Sequence, residues 1–454
     1  MRPPERTERQ DDSAAYAPDS ASRSAHLCVA HGAARRDVFH LDGGGAVVGR
    51  DGESDPAEVA LADLRMSRRH ARIVRGATGW CLHDLGSRNG GFVDGAPFAS
   101  EAAVPLGDGA VIRLGDSILV LRHGDPQDPD GAQLEAFPGR SPAAAAVRRR
   151  LRLLASARGH ILILGETGTG KERAARFIGT FAAPGEFVAQ NCAELSAELG
   201  RSELFGHARG AFSGAAGARD GLVDAAQGGV LFLDEIGELH LDVQADLLRF
   251  LEDGNYRPVG STELRTSRAR VVAATNLPLE DAVRSGRFRR DLMARLRATN
   301  EPLELPPLRE RREDILGWAR FFLDEALPPG GPAEPWSAGV AECLLLFPWP
   351  ENLRELRGAI RSLVERPRWP APTSSLPERI VAHRRGLRVA WTHPRHIAMR
   401  PRDGDPDRDE ITSALAETGG QMLSASQLLG IDRRKLYRLC EKLSIDVGRF
   451  RGDG

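Results

Sequence analysis

The apolar positions of this chain change their spacing twice along its length. They first come in short alternating or continuous runs, at 27–30, 46–48, 71–74, 80–82, 111–114 and 118–121, separated by turns rich in Gly and Asp. Runs of that length and period predict an all-β sandwich over residues 26–124. From 139 to 397 the pattern lengthens: buried-strand runs at 161–164, 230–233 and 271–274 are set among helical spacings, which predicts an α/β domain. The last segment, 408–454, has helical spacing at 408–417, 422–429 and 432–443, broken by Gly419-Gly420 and by Gly430. That layout predicts a helix-turn-helix, so the fold class is multidomain: all-β, then α/β, then α-helical. Residues 1–25 lack an apolar core and predict a disordered tail, while 125–138 and 398–407 are read as linkers. The stretch 366–407 mixes Pro, Arg, Ser and His around one apolar patch, 387–391, expected to close the α/β domain.

Composition narrows the choice of partners. With 62 Lys+Arg against 63 Asp+Glu the net charge is -1, so nucleic-acid contact has to come from a local patch rather than from a basic coat. Cys28, Cys81, Cys192, Cys343 and Cys440 form no C-x-x-C pair, which argues against a zinc site or a disulfide framework and fits a reducing cytoplasm. No run approaches membrane-spanning length, and no membrane partner is expected.

The strand-like run 161–164 is followed by Gly165-Glu166-Thr167-Gly168-Thr169-Gly170-Lys171 and then by a helical pattern. Small residues let successive backbone N–H groups converge on an anion, the helix N-terminus adds positive potential, and Lys171 reaches outer phosphates. A nucleoside triphosphate is the expected ligand. Glu172 stands where Ser or Thr usually holds magnesium, so the metal must find other ligands. A second apolar strand ends in Asp234-Glu235: Asp234 is placed to bind the magnesium of Mg-ATP and Glu235 to polarise the attacking water.

Between those two motifs lies Gly206-His207-Ala208-Arg209-Gly210-Ala211-Phe212-Ser213-Gly214-Ala215. With it the chain resembles the bacterial enhancer-binding proteins, the AAA+ activators of sigma-54 RNA polymerase. Their G-A-F-T-G-A loop contacts sigma-54, and Ser213 keeps the hydroxyl of the usual Thr. The resemblance makes Glu172 a family feature. It also implies that Asn191 holds the catalytic glutamate in check, that Thr275-Asn276 is sensor I, and that Arg289 and Arg295 are fingers reaching into a neighbouring subunit. Arg354, in Trp349-Pro350-Glu351-Asn352-Leu353-Arg354, matches sensor II on a helical lid. A finger supplied in trans implies a homo-oligomeric ring, a hexamer by family resemblance. The stretch 297–302, just before Leu305-Pro306-Pro307-Leu308-Arg309-Glu310-Arg311, is slightly longer than the family pattern.

Two further resemblances flank this domain. Gly49-Arg50, Ser67-Arg68-Arg69-His70 and Ser87-Arg88-Asn89-Gly90 resemble the forkhead-associated (FHA) domain, which recognises phosphothreonine peptides. By that resemblance Arg50 and Ser67 hold the phosphate of a phosphorylated protein or kinase, Arg68 and Arg88 flank it, Asn89 bonds the peptide backbone, and His70 is structural. Gly91 and Asp94 depart from the family pattern. The C-terminal segment resembles the Fis-type DNA-binding domain, with Arg433, Arg434, Lys435, Tyr437 and Arg438 on the third helix directed at upstream DNA. The whole reads as a sigma-54-dependent activator with an FHA input. Two rivals remain at this stage, a DNA-binding repressor and a phosphopeptide scaffold with a non-coupled ATPase.

Overall fold

A computed structural model describes residues 24–52, 57–98, 103–124, 137–182, 185–196, 199–328, 330–333, 335–365, 369–390, 408–417, 422–429, 433–443 and 445–446. Residues 1–23 of the expected tail, most of the first linker and the second linker lie outside the described residues, whereas Ala25, expected in the tail, is a buried residue of the first strand. The chain divides into two units, 1–387 and 388–454.

The first unit opens with two packed sheets. Ala25–His31 and Ser117–His123 pair antiparallel in the middle of a six-stranded sheet, and Ala46–Arg50, Ala71–Gly76 and Gly79–Asp84 form most of a five-stranded one. Six of these strands follow the apolar runs. The short strands Val38–Leu41, Val59–Leu61, Gly91–Val93, Ala96–Phe98 and Val104–Leu106 were not predicted, being too brief to show alternation.

Next comes a parallel five-stranded sheet in the order Phe187–Asn191, Val230–Asp234, Arg270–Thr275, Ile161–Leu164, Leu303–Glu304. Its three inner strands are apolar on both faces because helices cover both. Ile161, Ile163, Phe232 and Val272 join one core, whereas Leu162, Leu231, Leu233 and Val271 join the other. The first of these cores continues into helices Ile315–Ala326, Ala338–Leu346 and Asn352–Glu365. The region read as a Pro- and Arg-rich stretch holds a further helix, Glu378–Ala390, whose Ile380 and Val381 complete that core. Four basic residues along it hid its apolar face from the periodicity.

The expected linker end also moves: Phe137 is buried against the edge of Trp318, with centroids 5.6 Å apart, so this residue belongs to the core. The sandwich is not a separate bead. On the strand Ser117–His123, Leu119 and Leu121 fill the sandwich while Ile118 and Val120 face the core shared with the lid helices. Val111 does the same on Val111–Leu114, and Arg113 on that outer face meets Glu342 of Ala338–Leu346 at 2.8 Å. Arg384 approaches the same carboxylate at 2.8 Å. Nearby, Arg122 pairs with Glu313 at 3.1 Å and Arg312 with Asp94 at 2.9 Å.

The second unit has three described helices, Arg408–Glu417, Met422–Leu429 and Arg433–Lys442, around Ile411, Leu415, Ala425, Leu429, Leu436 and Leu439.

Candidate nucleotide site and associated loops

The C-terminal ends of the strands Ile161–Leu164, Val230–Asp234 and Arg270–Thr275 bring the predicted nucleotide residues together, as open parallel sheets do. Gly168 and Gly170 sit at φ +76° and +107°, a region where a side chain is strained. A Cβ on Gly168 would stand 2.1 Å from the carbonyl oxygen of Glu351. The Thr169 hydroxyl donates to the Glu166 carbonyl at 2.8 Å and closes the curl. Lys171 opens the helix Lys171–Ala182; its ammonium donates to the carbonyls of Gly165 at 3.1 Å and Glu166 at 3.4 Å and lies 3.6 Å from Glu235.

Asp234 ends its strand beside this lysine. Burial raises its carboxyl above the ordinary value, Lys171 opposes that shift, and Glu235 adds to it. Glu235 occupies the left-handed region at φ +49°, a conformation costing about 1 kcal/mol or more for a non-glycine residue. Its carboxylate accepts from the Asn276 backbone N–H at 3.3 Å, and the Asn276 amide donates to the Thr167 hydroxyl at 2.9 Å. A curled, lysine-tipped loop facing one desolvated carboxylate fits a triphosphate with a divalent cation. Among the described residues no cluster of three or more His, Cys, Asp or Glu could hold a metal, so the cation's remaining ligands must be phosphate oxygens and water.

Four predicted residues lie outside this cluster. Glu172 is engaged by Arg176 one turn along the helix, at 2.7 Å. Asn191 does not bond Glu235; its side-chain oxygen accepts from the Ala193 N–H at 3.1 Å and caps the turn Cys192–Glu194. Arg289 is bidentate to Asp291, at 2.7 and 3.1 Å. Arg295 donates to the Leu251 carbonyl at 2.8 and 3.0 Å and to that of Glu252 at 3.1 Å, at the C-terminus of Leu241–Asp253, where cations are favoured. Within one subunit these arginines serve their own domain.

Arg354 is exposed on the first turn of Asn352–Glu365, with its Cβ 3.2 Å from where a Cβ on Gly168 would be. Around it the structure adds residues that the sequence reading passed over. Arg309 is bidentate to Glu166, at 2.5 and 2.7 Å, and holds that carboxyl below its ordinary value. The buried Asn352 donates to Glu166 and to the Thr167 carbonyl. Both lie inside motifs quoted for other members, and spacing alone gave no reason to single them out.

The Phe212 loop hangs from a pinned stem. His207 exchanges backbone hydrogen bonds with Arg219 at 2.9 and 3.0 Å, and Ala208 donates to Val259 at 2.9 Å. Gly210 donates to Ala215 at 2.9 Å, so residues 210–215 close on themselves, with Gly210 and Gly214 at φ +79° and +107°. Phe212 is 37% exposed and edge-on to His207, 5.1 Å between centroids; Ser213 and Gly214 are exposed and Ala215 buried, with Ala211 between.

In the sandwich the residues predicted for phosphate gather at one end. A Cβ on Gly49 would stand 1.9 Å from the Arg68 carbonyl oxygen, which explains a glycine beside Arg50. The Arg50 N–H donates to the Ser67 carbonyl at 3.0 Å, the Arg88 N–H donates to the Ser67 hydroxyl at 3.2 Å, and the Asn89 amide donates to the Arg65 carbonyl at 2.7 Å. His70 is fully buried: Nδ1 accepts from Ser67 N–H at 3.1 Å and Nε2 donates to Gly90 at 2.9 Å. Burial depresses its pKa and keeps this tautomer neutral. A cavity of about 500 Å³ adjoins Arg50, lined also by Arg35, Asp51 and Leu64.

On the third helix of the second unit Leu436, Leu439 and Cys440 are buried while Tyr437 and Arg438 are exposed and Lys435 is half-buried. The side chains of Arg433 and Arg434 lie outside the described residues.

A curled P-loop, an Asp-Glu strand end and a helical lid define an AAA+ ATPase domain, here joined to an FHA domain. The sequence matches the sigma-54 interaction domain over residues 137–300, the FHA domain over 46–115 and the AAA+ ATPase lid domain over 309–383. It is 40% identical over 321 residues to the alginate biosynthesis transcriptional regulatory protein AlgB of Pseudomonas aeruginosa, covering 69% of this chain and 68% of that one. It is 35% identical over 344 residues to the DNA-binding transcriptional regulator NtrC of Azospirillum brasilense, covering 68% and 70%. A solved structure of NtrX from Brucella abortus in complex with ADP aligns at 26% identity and TM-score 0.48, covering 69% of this chain and 72% of that one. The chain belongs to the family of transcriptional regulators that carry a sigma-54 interaction domain.

Proposed function

We propose that this chain is a sigma-54-dependent activator: it hydrolyses Mg-ATP in a homo-oligomeric ring, a hexamer, and uses the cycle to remodel sigma-54 RNA polymerase at promoters. One observation carries the coupling. The exposed Phe212 sits on a loop whose stem is tied to Arg219 and Val259, in the same domain as the Lys171, Asp234 and Glu235 cluster.

The roles follow from chemistry. Lys171 and the backbone of residues 165–170 hold the outer phosphates, Asp234 holds magnesium, and the bound cation neutralises charge on the phosphates. Glu235 orients and polarises the attacking water, with Asn276 fixing its carboxylate. Arg354 contacts nucleotide from the lid; Arg289 and Arg295 complete a neighbour's site on leaving their present partners, and Asn191 exchanges its capping bond for one to Glu235. Residues 210–215 contact sigma-54. Arg50, Ser67, Arg68, Arg88 and Asn89 receive a phosphothreonine, because guanidinium and hydroxyl donors on rigid loops suit a dianion. Arg433, Arg434, Lys435, Tyr437 and Arg438 contact upstream DNA. The expected compartment is the cytoplasm, and no described helix is long and apolar enough to cross a membrane.

The test is in vitro transcription with sigma-54 polymerase alongside an ATPase assay. Glu235→Gln keeps nucleotide binding and loses roughly 100-fold or more in turnover. Phe212→Ala keeps hydrolysis and loses open-complex formation. A Phe212→Ala protein that activates like the wild type refutes the coupling, and a Glu235→Gln protein with normal hydrolysis refutes the site.

A further inference from the structure

The turn that enters the lid helix Asn352–Glu365 is expensive to form. Trp349 and Asn352, three residues apart, both adopt left-handed backbone, at φ +50° and +51°. Asn tolerates that region and Trp does so rarely, and such outliers persist where surrounding contacts hold them. The product of the turn is a set of contacts on the nucleotide loop. Leu353 N–H donates to the Gly168 carbonyl at 2.9 Å, and the Glu351 carbonyl lies so close to Gly168 that no side chain fits there.

Asn352 is the hub. It is 0% exposed, and its amide is fully used: Oδ1 accepts from Leu308 N–H at 2.8 Å, while Nδ2 donates to the Glu166 carboxylate at 3.2 Å and to the Thr167 carbonyl at 3.0 Å. The partners fix which end of the amide is which, since one faces a donor and the other two acceptors. The Glu166 carboxylate is gripped from its other side by Arg309, the residue next to Leu308. Glu166 and Thr167 are thereby held from the lid side, with the Glu166 carboxylate bonded to Arg309 and Asn352. The Asn352 amide of the lid and the Arg309 guanidinium of the turn at 308–309 thus donate to acceptors on two consecutive residues of the P-loop.

We propose that Asn352, with Arg309, is a positioning residue for nucleotide binding, acting through Glu166 and Thr167 to hold the P-loop in its anion-binding curl and to make that curl depend on the angle of the lid. This rests on the nucleotide reading of Lys171 and its loop. Neither Asn352 nor Arg309 touches nucleotide in this scheme. Losing either leaves the phosphate donors intact but lets the loop relax, so affinity falls while the chemical step, set by Glu235 and its water, is little changed.

The experiment measures the dissociation constant of Mg-ADP by titration, and kcat and KM for ATP, in the full-length chain. Asn352→Ala raises the Mg-ADP dissociation constant and KM about tenfold and changes kcat less than about twofold. Asn352→Asp is worse, because it sets a second carboxylate against Glu166. Adding Glu166→Gln to it recovers most of the loss, since a glutamine amide donates to the new acid. Unchanged affinity in Asn352→Ala, or no recovery in the double variant, overturns the proposal. If thermal melting shows that the Asn352 variants do not fold, the half-exposed pair decides: Glu166→Gln and Arg309→Ala each weaken Mg-ADP about threefold, and together no more than either alone. Losses that multiply in that double variant overturn the proposal. Lys171→Ala is the control, and near-normal Mg-ADP binding by it removes the nucleotide reading itself rather than the role of Asn352.

Discussion

Replacing Glu342 by Gln should loosen the FHA domain from the lid. The carboxylate is 1% exposed and receives Arg113 of the sandwich and Arg384 of the lid, each at 2.8 Å; Arg384 is itself 6% exposed and Arg113 16%. Removing the shared anion leaves two guanidinium groups facing each other across a dry seam. Breaking a buried pair in this way costs about 3–5 kcal/mol, and the partial exposure of Arg113 puts the expectation at the lower end, about 3 kcal/mol. With a urea dependence of about 3 kcal/mol per molar, the unfolding midpoint drops by about 1 M. Trp80 reports on the sandwich, and Trp318 and Trp349 report on the lid side. Replacing all three charges with apolar residues of similar volume should restore most of the loss, because the desolvation cost disappears with the charges. A midpoint shift below about 0.3 M in Glu342→Gln, equivalent to about 1 kcal/mol on the same scale, refutes the reasoning.

The remaining predictions concern other parts of the chain. Burial raises the Glu313 carboxyl to about 7, against the pull of Arg122, with Asp314 and Asp108 pushing it further. Between the ordinary carboxylate value and about 7 the folded chain therefore holds a proton that the unfolded chain has released, so stability falls as pH rises through that window and levels above it. Glu313→Gln should make the fall shallower in urea titrations from acid to neutral pH; an identical slope removes Glu313 as its source. Arg50→Ala should cost about 2 kcal/mol of phosphothreonine-peptide binding, close to thirtyfold in Kd, in the full chain. Equal binding of the unphosphorylated peptide by wild type shows that the sandwich does not read phosphate. Arg434→Ala with Arg438→Ala should lower the slope of log affinity for DNA against log salt by about 2.

The readable parts of this chain were those whose signal is local. Gly165 to Lys171 announces itself because curl, lysine and helix must be contiguous, and Asp234-Glu235 because an apolar strand delivers it. The residues that bind the lid to the P-loop were harder. Asn352 and Arg309 act on Glu166 and Thr167 across more than 140 positions, a relation without a period. The helix Glu378–Ala390 was missed because its basic side chains interrupt the apolar pattern, although one of them, Arg384, is itself buried against Glu342. Arg113 and Arg122 stand in or beside short strands of the sandwich, and their partners Glu342 and Glu313 lie about 190 or more positions away. Nothing along the sequence says that the sandwich face carrying them is dry.

That dry face changes what counts as a part. A fragment trimmed to the sandwich at 26–124 would carry Val111, Ile118 and Val120 into water, and Arg113 and Arg122 would lose Glu342 and Glu313 while keeping Asp116 and Asp108, so it would be stickier and less stable than its own interior suggests. The same holds for any exchange of input modules by recombination. A replacement sensor must bring not only a ligand site but also a strand whose reverse side fits these lid helices. Otherwise the recipient ATPase is left with an open flank.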